Sequence, residues 1–239
     1  MANGFRVFLK RRLPPIHVLE AFKKLPAANV ADCMNRLSAL SSRIRLVSSP
    51  KEEIMVGTAL TVKARPGDNL MIHKALNMAG PGDVIIVSNE EDSSQSLVGE
   101  IMVTYAKYKG VTGLIFDGPI RDIGAISGMD IPVYATGTTP GGPFKDGPGE
   151  VNTPISCGGA MIEPGDIILA DKDGVIVIPK RDAEAILKAA QKFAASDNAK
   201  LLAAQNGTAD RAWVEKSLAE KGCEIIDGFY DDPVGAGNS

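Results

Sequence analysis

Two amphipathic stretches open the patterned part of the chain, "PIHVLEAFKKL" at 15–25 and "NVADCMNRL" at 29–37. In the first, Ile16, Leu19, Ala21, Phe22 and Leu25 recur near the helical period, so both are predicted helices with one apolar face. The period then drops to two. Between positions 56 and 62 of "EIMVGTALTVKARPG" apolar and polar residues alternate, which predicts a half-buried strand ended by Pro66-Gly67. "DNLMIHKALNMA" returns to helical spacing. Next comes the uninterrupted run Val84-Ile85-Ile86-Val87, the pattern of a strand buried on both faces. A helix over 97–109 and a strand "GLIFD" complete a β-α-β unit.

Further along, "IPVYATG" and "PISCGGAMI" predict strands with glycine bends. "PGDIILADKDGVIVIPKRD" predicts a β-hairpin turning at Lys172-Asp173-Gly174. A long Ala-rich helix is expected over 181–204, and "ADRAWVEKSLAEKG" is a further helix stopping at Gly222. "PGDVIIVSNEED" and "PGDIILADKDGV" echo each other, either as recurrent turn-strand grammar or as an internal duplication. The expected organisation is an N-terminal arm (1–14), an α/β domain (15–180), C-terminal helices (181–222) and a tail (223–239). The outer helices need a surface to cover, and a subunit interface is one.

Composition narrows the classes. The 239 residues suffice for a large core, and 44% hydrophobic with 23% charged content is globular. A net charge of -3 offers no basic excess for a phosphate backbone, so a nucleic-acid partner is not expected. No run approaches the ~20 apolar residues of a membrane span, and no membrane partner is expected. Cys33, Cys157 and Cys223 lack metal-site spacing and disulfide density; they are expected to be buried or inert thiols in a reducing cytoplasm.

Candidate chemistry comes last because it is sparse. With only His17 and His73, a His-rich zinc site cannot be built, and His73 within an amphipathic helix is expected to pack or hydrogen-bond. The phosphate-loop and dinucleotide glycine patterns are missing. In "FDGPIRDIGAI", Asp117-Gly118-Pro119 ends a predicted strand, where open α/β sheets place ligands, and Arg121-Asp122 follows. An Asp carboxylate suits Mg²⁺ or Mn²⁺, and a guanidinium offers a fork for an anion. A solvated ion pair at a helix start has the same spacing. Upstream, Gly99-Glu100 lies in a helical pattern, and one helix-strand passage would return Glu100 to the same sheet edge as Arg121.

Glu100, a twenty-residue spacer and Arg121-Asp122 resemble the signature of the RraA-like family. "MNRLSAL", "RPGDNLMIHKAL", "GPGDVIIV", "KGVTGLIFDGPIRD" and "PGDIILADKDGVIVIP" support the resemblance over about residues 25–225. It implies an α/β fold, a three-layer β/β/α swivelling, phosphohistidine-domain-like domain with N- and C-terminal helical extensions. It also implies a homotrimer or homohexamer with interfacial active sites.

The implied activity is that of a class II pyruvate aldolase of the 4-hydroxy-4-methyl-2-oxoglutarate type, with oxaloacetate decarboxylation through the same enolate. Asp122 would bind the divalent cation, Mg²⁺ or Mn²⁺, and Arg121 would contact the pyruvyl part of a small 2-oxo acid. Gly99, Glu100, Ile101 and Met102 would hold substrate, with Glu100 acting through metal-bound water, and Lys145 would bind a second carboxylate. Two departures stand out. The acidic position is more often Asp than Glu, and the aldolases' C-terminal helix Glu is replaced here by "AASDNAKLL", offering Asp197 or Asn198. The other family activity is regulation of ribonuclease E by protein contact, and a Schiff-base route through a strand lysine such as Lys63 is a further possibility.

Overall fold

A computed structural model describes residues 4–230. The chain divides into a compact unit through Ala194 and a second unit from Ala195 onward. In chain order the first contains β1 (Phe5–Val7), α1 (Ile16–Phe22), α2 (Ala27–Asp32), β2 (Arg45–Leu46), β3 (Met55–Ala64), α3 (Leu70–Met78), β4 (Asp83–Ser88) and α4 (Glu100–Tyr108). Then follow β5 (Gly113–Asp117), β6 (Pro119–Ile120), α5 (Ile123–Ile126), β7 (Val133–Ala135), β8 (Gly137–Thr138), β9 (Gly149–Val151), β10 (Ile155–Cys157), β11 (Ala160–Ile162), β12 (Ile167–Asp171) and β13 (Gly174–Ile178). Helix α6 (Ala183–Gln205) crosses the division, and α7 (Ala212–Glu220) lies in the second unit. None of the described helices is long and apolar enough to cross a membrane.

The fold is α/β, built on a nine-stranded mixed sheet. Strands β3, β4 and β5 run parallel in register, Leu60 beside Ile85 and Ile85 beside Leu114. Their apolar runs bury both faces, as expected for β4 and β5. Leu60, Ile85, Val87, Leu114 and Phe116 pack under α3 and α4, while Val84, Ile86 and Ile115 face the β10–β11 hairpin and β12. A third cluster joins α1, α2 and the first half of α6 to β12 and β13, through Phe22, Val30, Leu169, Ile176 and Ala190.

Strand β3 departs from the expected half-buried pattern: of its ten residues only Lys63 is exposed. Its two threonines are buried because their hydroxyls donate to carbonyls, Thr61 to Thr153 O at 2.7 Å and Thr58 to Gly82 O at 3.3 Å. A satisfied hydroxyl no longer needs solvent, so the alternation does not mark a wet face. β3 also changes neighbours along its length, with β12 beside Met55 to Thr58 and β9 beside Val62 to Ala64.

Part of the expected N-terminal arm is built into the sheet, since β1 pairs with β9 from Phe5↔Gly149 to Val7↔Val151. Arg6 clasps Glu150 and Arg11 clasps Asp83. The first half of α6 covers its own chain's core through Ile186, Leu187 and Ala190. The predicted hairpin forms with Asp171 opposite Gly174. Cys157 is buried and Cys33 half-buried, and burial pushes both thiols up; Cys223 is exposed, so burial does not hold for all three. Residues 231–239 of the expected tail lie outside the described residues.

Candidate functional site

The carboxyl end of β5 delivers Arg121 and Asp122 to the start of α4. Two backbone bonds hold the segments together, Leu97 N to Pro119 O at 2.9 Å and Arg121 N to Val98 O at 3.0 Å. Asp122 is left-handed (φ 58, ψ 36), a conformation that Asp tolerates better than most residues. Although it precedes α5, its carboxylate does not cap that helix. Oδ2 instead accepts the Glu100 backbone N–H at 3.0 Å, placing negative charge at the positive end of α4. Arg121 Nε lies 3.8 Å from the same oxygen, and both side chains are about half exposed (45%).

Gly99 makes this approach possible. Expected within a helical pattern, it is instead the extended residue before α4 (φ -136, ψ -171). A Cβ there would meet Asp122 Oδ2 at 2.3 Å and Arg121 Nε at 3.1 Å, so the close approach, rather than backbone freedom, requires glycine.

These residues line a cavity of about 260 Å³ with Ile101, Met102, Lys145, Gly142, Asn69 and His73. Six of the seven expected site residues therefore meet around one space: Gly99, Ile101, Met102, Arg121, Asp122 and Lys145. The seventh, Glu100, is exposed in the first turn of α4 and contributes its N–H to Asp122, while its side chain is not part of the lining.

Asp68 sets the Lys145 loop. Its buried carboxylate accepts N–H bonds from Asp146 (2.7 Å) and Gly147 (2.9 Å) through Oδ2 and from Leu70 (2.9 Å) through Oδ1. Phe144 N donates to Gly67 O and Asn69 N donates to Phe144 O, so the start of α3 and the Lys145 loop form one clasp.

Two polar residues of this clasp, Asp68 and Asn69, escaped the sequence reading, and the third, His73, is expected there only to pack or hydrogen-bond. His73 does more than pack: it stands in the cavity half-buried, and burial first, then the Lys145 ammonium, lowers its imidazole below the ordinary histidine value. Asn69 Nδ2 donates to Leu97 O at 3.0 Å, leaving Oδ1 buried without a hydrogen-bond partner. A signal was present, because Asn69 and His73 are one helical turn apart and share a face.

As a donor set for a metal, the cavity offers one carboxylate. Among the described residues no three His, Cys, Asp or Glu side chains converge as a metal cage. Among the described residues Asp122 accepts a hydrogen bond at Oδ2 and none at Oδ1, which leaves Oδ1 open to a cation. That fits a hard cation such as Mg²⁺, which commonly takes one or two carboxylates and completes its shell with water and substrate oxygens.

A mixed sheet presenting a carboxylate and a guanidinium beyond a parallel strand defines an α/β protein with a small charged crevice at that sheet edge. The chain belongs to the RraA-like family, described as Aldolase/RraA, which matches residues 27–177. A protein of Halalkalibacterium halodurans, provisionally named a 4-hydroxy-4-methyl-2-oxoglutarate aldolase, is 39% identical over 204 residues, covering 85% of this chain and 96% of its own. Two solved structures share the fold at TM-score 0.70. One is an uncharacterized protein of Pseudomonas syringae pv. tomato (23% identical, 82% of this chain, 96% of that one). The other is Streptomyces coelicolor RraAS2, described as an unusual member of the RNase ES inhibitor RraA family (24% identical, 79% of this chain, 98% of that one).

Proposed function

We propose that this protein is a divalent-metal-dependent carbon-carbon lyase that cleaves a 2-oxo acid through a pyruvate enolate. The reading comprises aldolase activity on 4-hydroxy-4-methyl-2-oxoglutarate-like acids and decarboxylation of oxaloacetate. The observation that carries it is the gathering of Arg121, Asp122, Lys145 and the start of α4 around one small cavity; the named aldolase relative supports the substrate class.

Asp122 would hold Mg²⁺ or Mn²⁺ through its open oxygen. Such an ion supplies Lewis-acid polarisation of the keto and carboxylate oxygens. Arg121 presents a fork of donors to the pyruvyl half, where charge grows as the bond breaks, and donors already in place cost little reorganisation. Lys145, in the same lining, takes a second carboxylate. Met102, half-buried, and Ile101 add apolar surface to the lining beside the charged groups. The positive end of α4 favours an anion in the same space.

The assembly in this reading is a homotrimer or homohexamer with sites between subunits. Ile101, Tyr105 and Tyr108 support it, as exposed residues on one face of α4 beside the cavity.

The test is pyruvate release from a panel of 4-hydroxy-2-oxo acids and oxaloacetate, with chelator and after return of Mg²⁺ or Mn²⁺. Activity should vanish with chelator, return with metal, and be abolished by Asp122→Ala. Full activity of Asp122→Ala would refute the reading.

A further inference from the structure

We propose that His73, with Asn69 as its positioning partner, takes the proton from the C4 hydroxyl of a 4-hydroxy-2-oxo acid as the C3–C4 bond breaks. The inference rests on the lyase reading and adds a residue pair that the acid-spacer-Arg-Asp signature does not contain.

Three observations carry it. His73 shares the 260 Å³ cavity with Arg121, Asp122 and Lys145, so a substrate occupying that small space comes within reach of the imidazole. No described residue forms a hydrogen bond to either ring nitrogen, and the neutral ring, favoured by burial and by Lys145, keeps one lone pair available. Asn69 supplies the third. Its Nδ2 faces Leu97 O, which can only accept, so the amide orientation is set and Oδ1 must be the atom left over. That oxygen is buried and unpaired, a state that is costly unless a donor reaches it. One turn away on the same face of α3 lies His73, whose N–H can donate to it after a ring rotation. Met102 Sδ, 3.5 Å from Asn69 Nδ2, is the adaptable neighbour that accommodates the movement. With one nitrogen bound to Asn69, the other nitrogen is the acceptor presented to substrate.

The step balances. The O–H electron pair becomes the second bond of the new C4 carbonyl, the C3–C4 pair passes into the enolate of the pyruvyl fragment, and the proton moves to His73. The same proton then goes to C3, leaving pyruvate, a second oxo compound and a neutral imidazole. Beside Lys145 an imidazolium is disfavoured, which promotes that return. Oxaloacetate has no C4 hydroxyl, so its C3–C4 bond breaks with loss of carbon dioxide and without a base at that position.

This difference supplies the experiment. Wild type, His73→Ala and Asn69→Ala are assayed with 4-hydroxy-4-methyl-2-oxoglutarate and with oxaloacetate at saturating Mg²⁺. His73→Ala should lose about 10²-fold or more in kcat for aldol cleavage, with decarboxylation far less affected, and added imidazole should restore cleavage alone. Asn69→Ala should show the same split to a smaller degree. Equal losses in both reactions would assign His73 a structural role and overturn the proposal. Unchanged cleavage in His73→Ala would overturn it too, as would a wild type that decarboxylates but cleaves no 4-hydroxy acid. A wild type inert toward every substrate would instead refute the lyase reading.

Discussion

Replacing Gly99 by Ala tests the link between backbone packing and the acidic centre. The added Cβ would sit 2.3 Å from Asp122 Oδ2, against ordinary contact beginning near 3.4 Å, so the carboxylate must withdraw by roughly 1.1 Å. A retreat of that size takes the 3.0 Å bond from Glu100 N–H out of hydrogen-bonding reach. A charge-assisted bond to a half-exposed carboxylate contributes about 1.5 kcal/mol. The reduced freedom of the unfolded chain returns about 0.5 kcal/mol, because φ -136 is open to Ala. The net loss is about 1 kcal/mol, or a fall in Tm of about 2–4 °C for a chain of this size. Metal binding should suffer more, since displacing a reacting group by about 1 Å can cost 10²-fold. Thermal melts and Mg²⁺ activation curves measure both. Half-saturation should rise at least about tenfold, while Gly80→Ala, whose Cβ meets nothing within 4 Å, should leave it unchanged. A Gly99→Ala protein with wild-type melting and metal response would refute the reasoning.

Other consequences can be measured separately. Asp68→Ala leaves three backbone N–H groups without their acceptor and should cost about 3 kcal/mol in urea unfolding; KM for dicarboxylates should rise as the Lys145 loop loosens. Glu150 is held below the ordinary Glu range, chiefly by the Arg6 hydrogen bond and further by Gly4 N–H, Arg6 charge and Lys63, against opposing burial. Because the folded-state value is depressed, this stabilisation is present above the unfolded Glu value of about 4.3 and is lost as pH falls through the lower folded value. Hydrogen-exchange protection factors at β1, corrected for the intrinsic pH dependence of exchange, should therefore fall on acidification, and Arg6→Gln should flatten the dependence; an identical profile in that variant would refute the link. Tyr108→Asp, on the exposed α4 face, should dissociate the proposed assembly in light scattering without lowering the far-UV helical signal.

The sequence exposed the parts of the fold where one residue's environment repeats down a strand. Val84 to Val87 and the "GLIFD" segment carry apolar side chains on both faces, and the Lys172-Asp173-Gly174 turn is a local preference. β3 misled because Thr58 and Thr61 are satisfied by carbonyls at positions 82 and 153, and nothing near position 60 records those partners. β1 was hidden similarly, since three residues acquire strand character only against Gly149 to Val151.

At the site, Arg121, Asp122, Lys145 and the α4 start stood out through the family resemblance, and the fold brings them around one cavity. Asp68 and Asn69 did not stand out, because a polar residue beside an amphipathic helix ordinarily faces water, and His73 stood out only as a packing or hydrogen-bonding residue. What reassigns them is a loop more than seventy residues away, whose N–H groups and lysine close over them.

The change of neighbours along β3 bears on synthesis. β4 follows β3 closely and can pair with one of its edges early, and β5 can then add to β4. The other edge waits for β9 and then for β12, more than a hundred residues downstream. A nascent chain arrested before position 151 would carry a long apolar strand with one ladder open, an invitation to pair with other chains. In order of synthesis that edge is covered from its Ala64 end toward Met55, with Gly149 first and Ala170 last, so the sheet at the heart of the domain is completed only when its hairpin has been made.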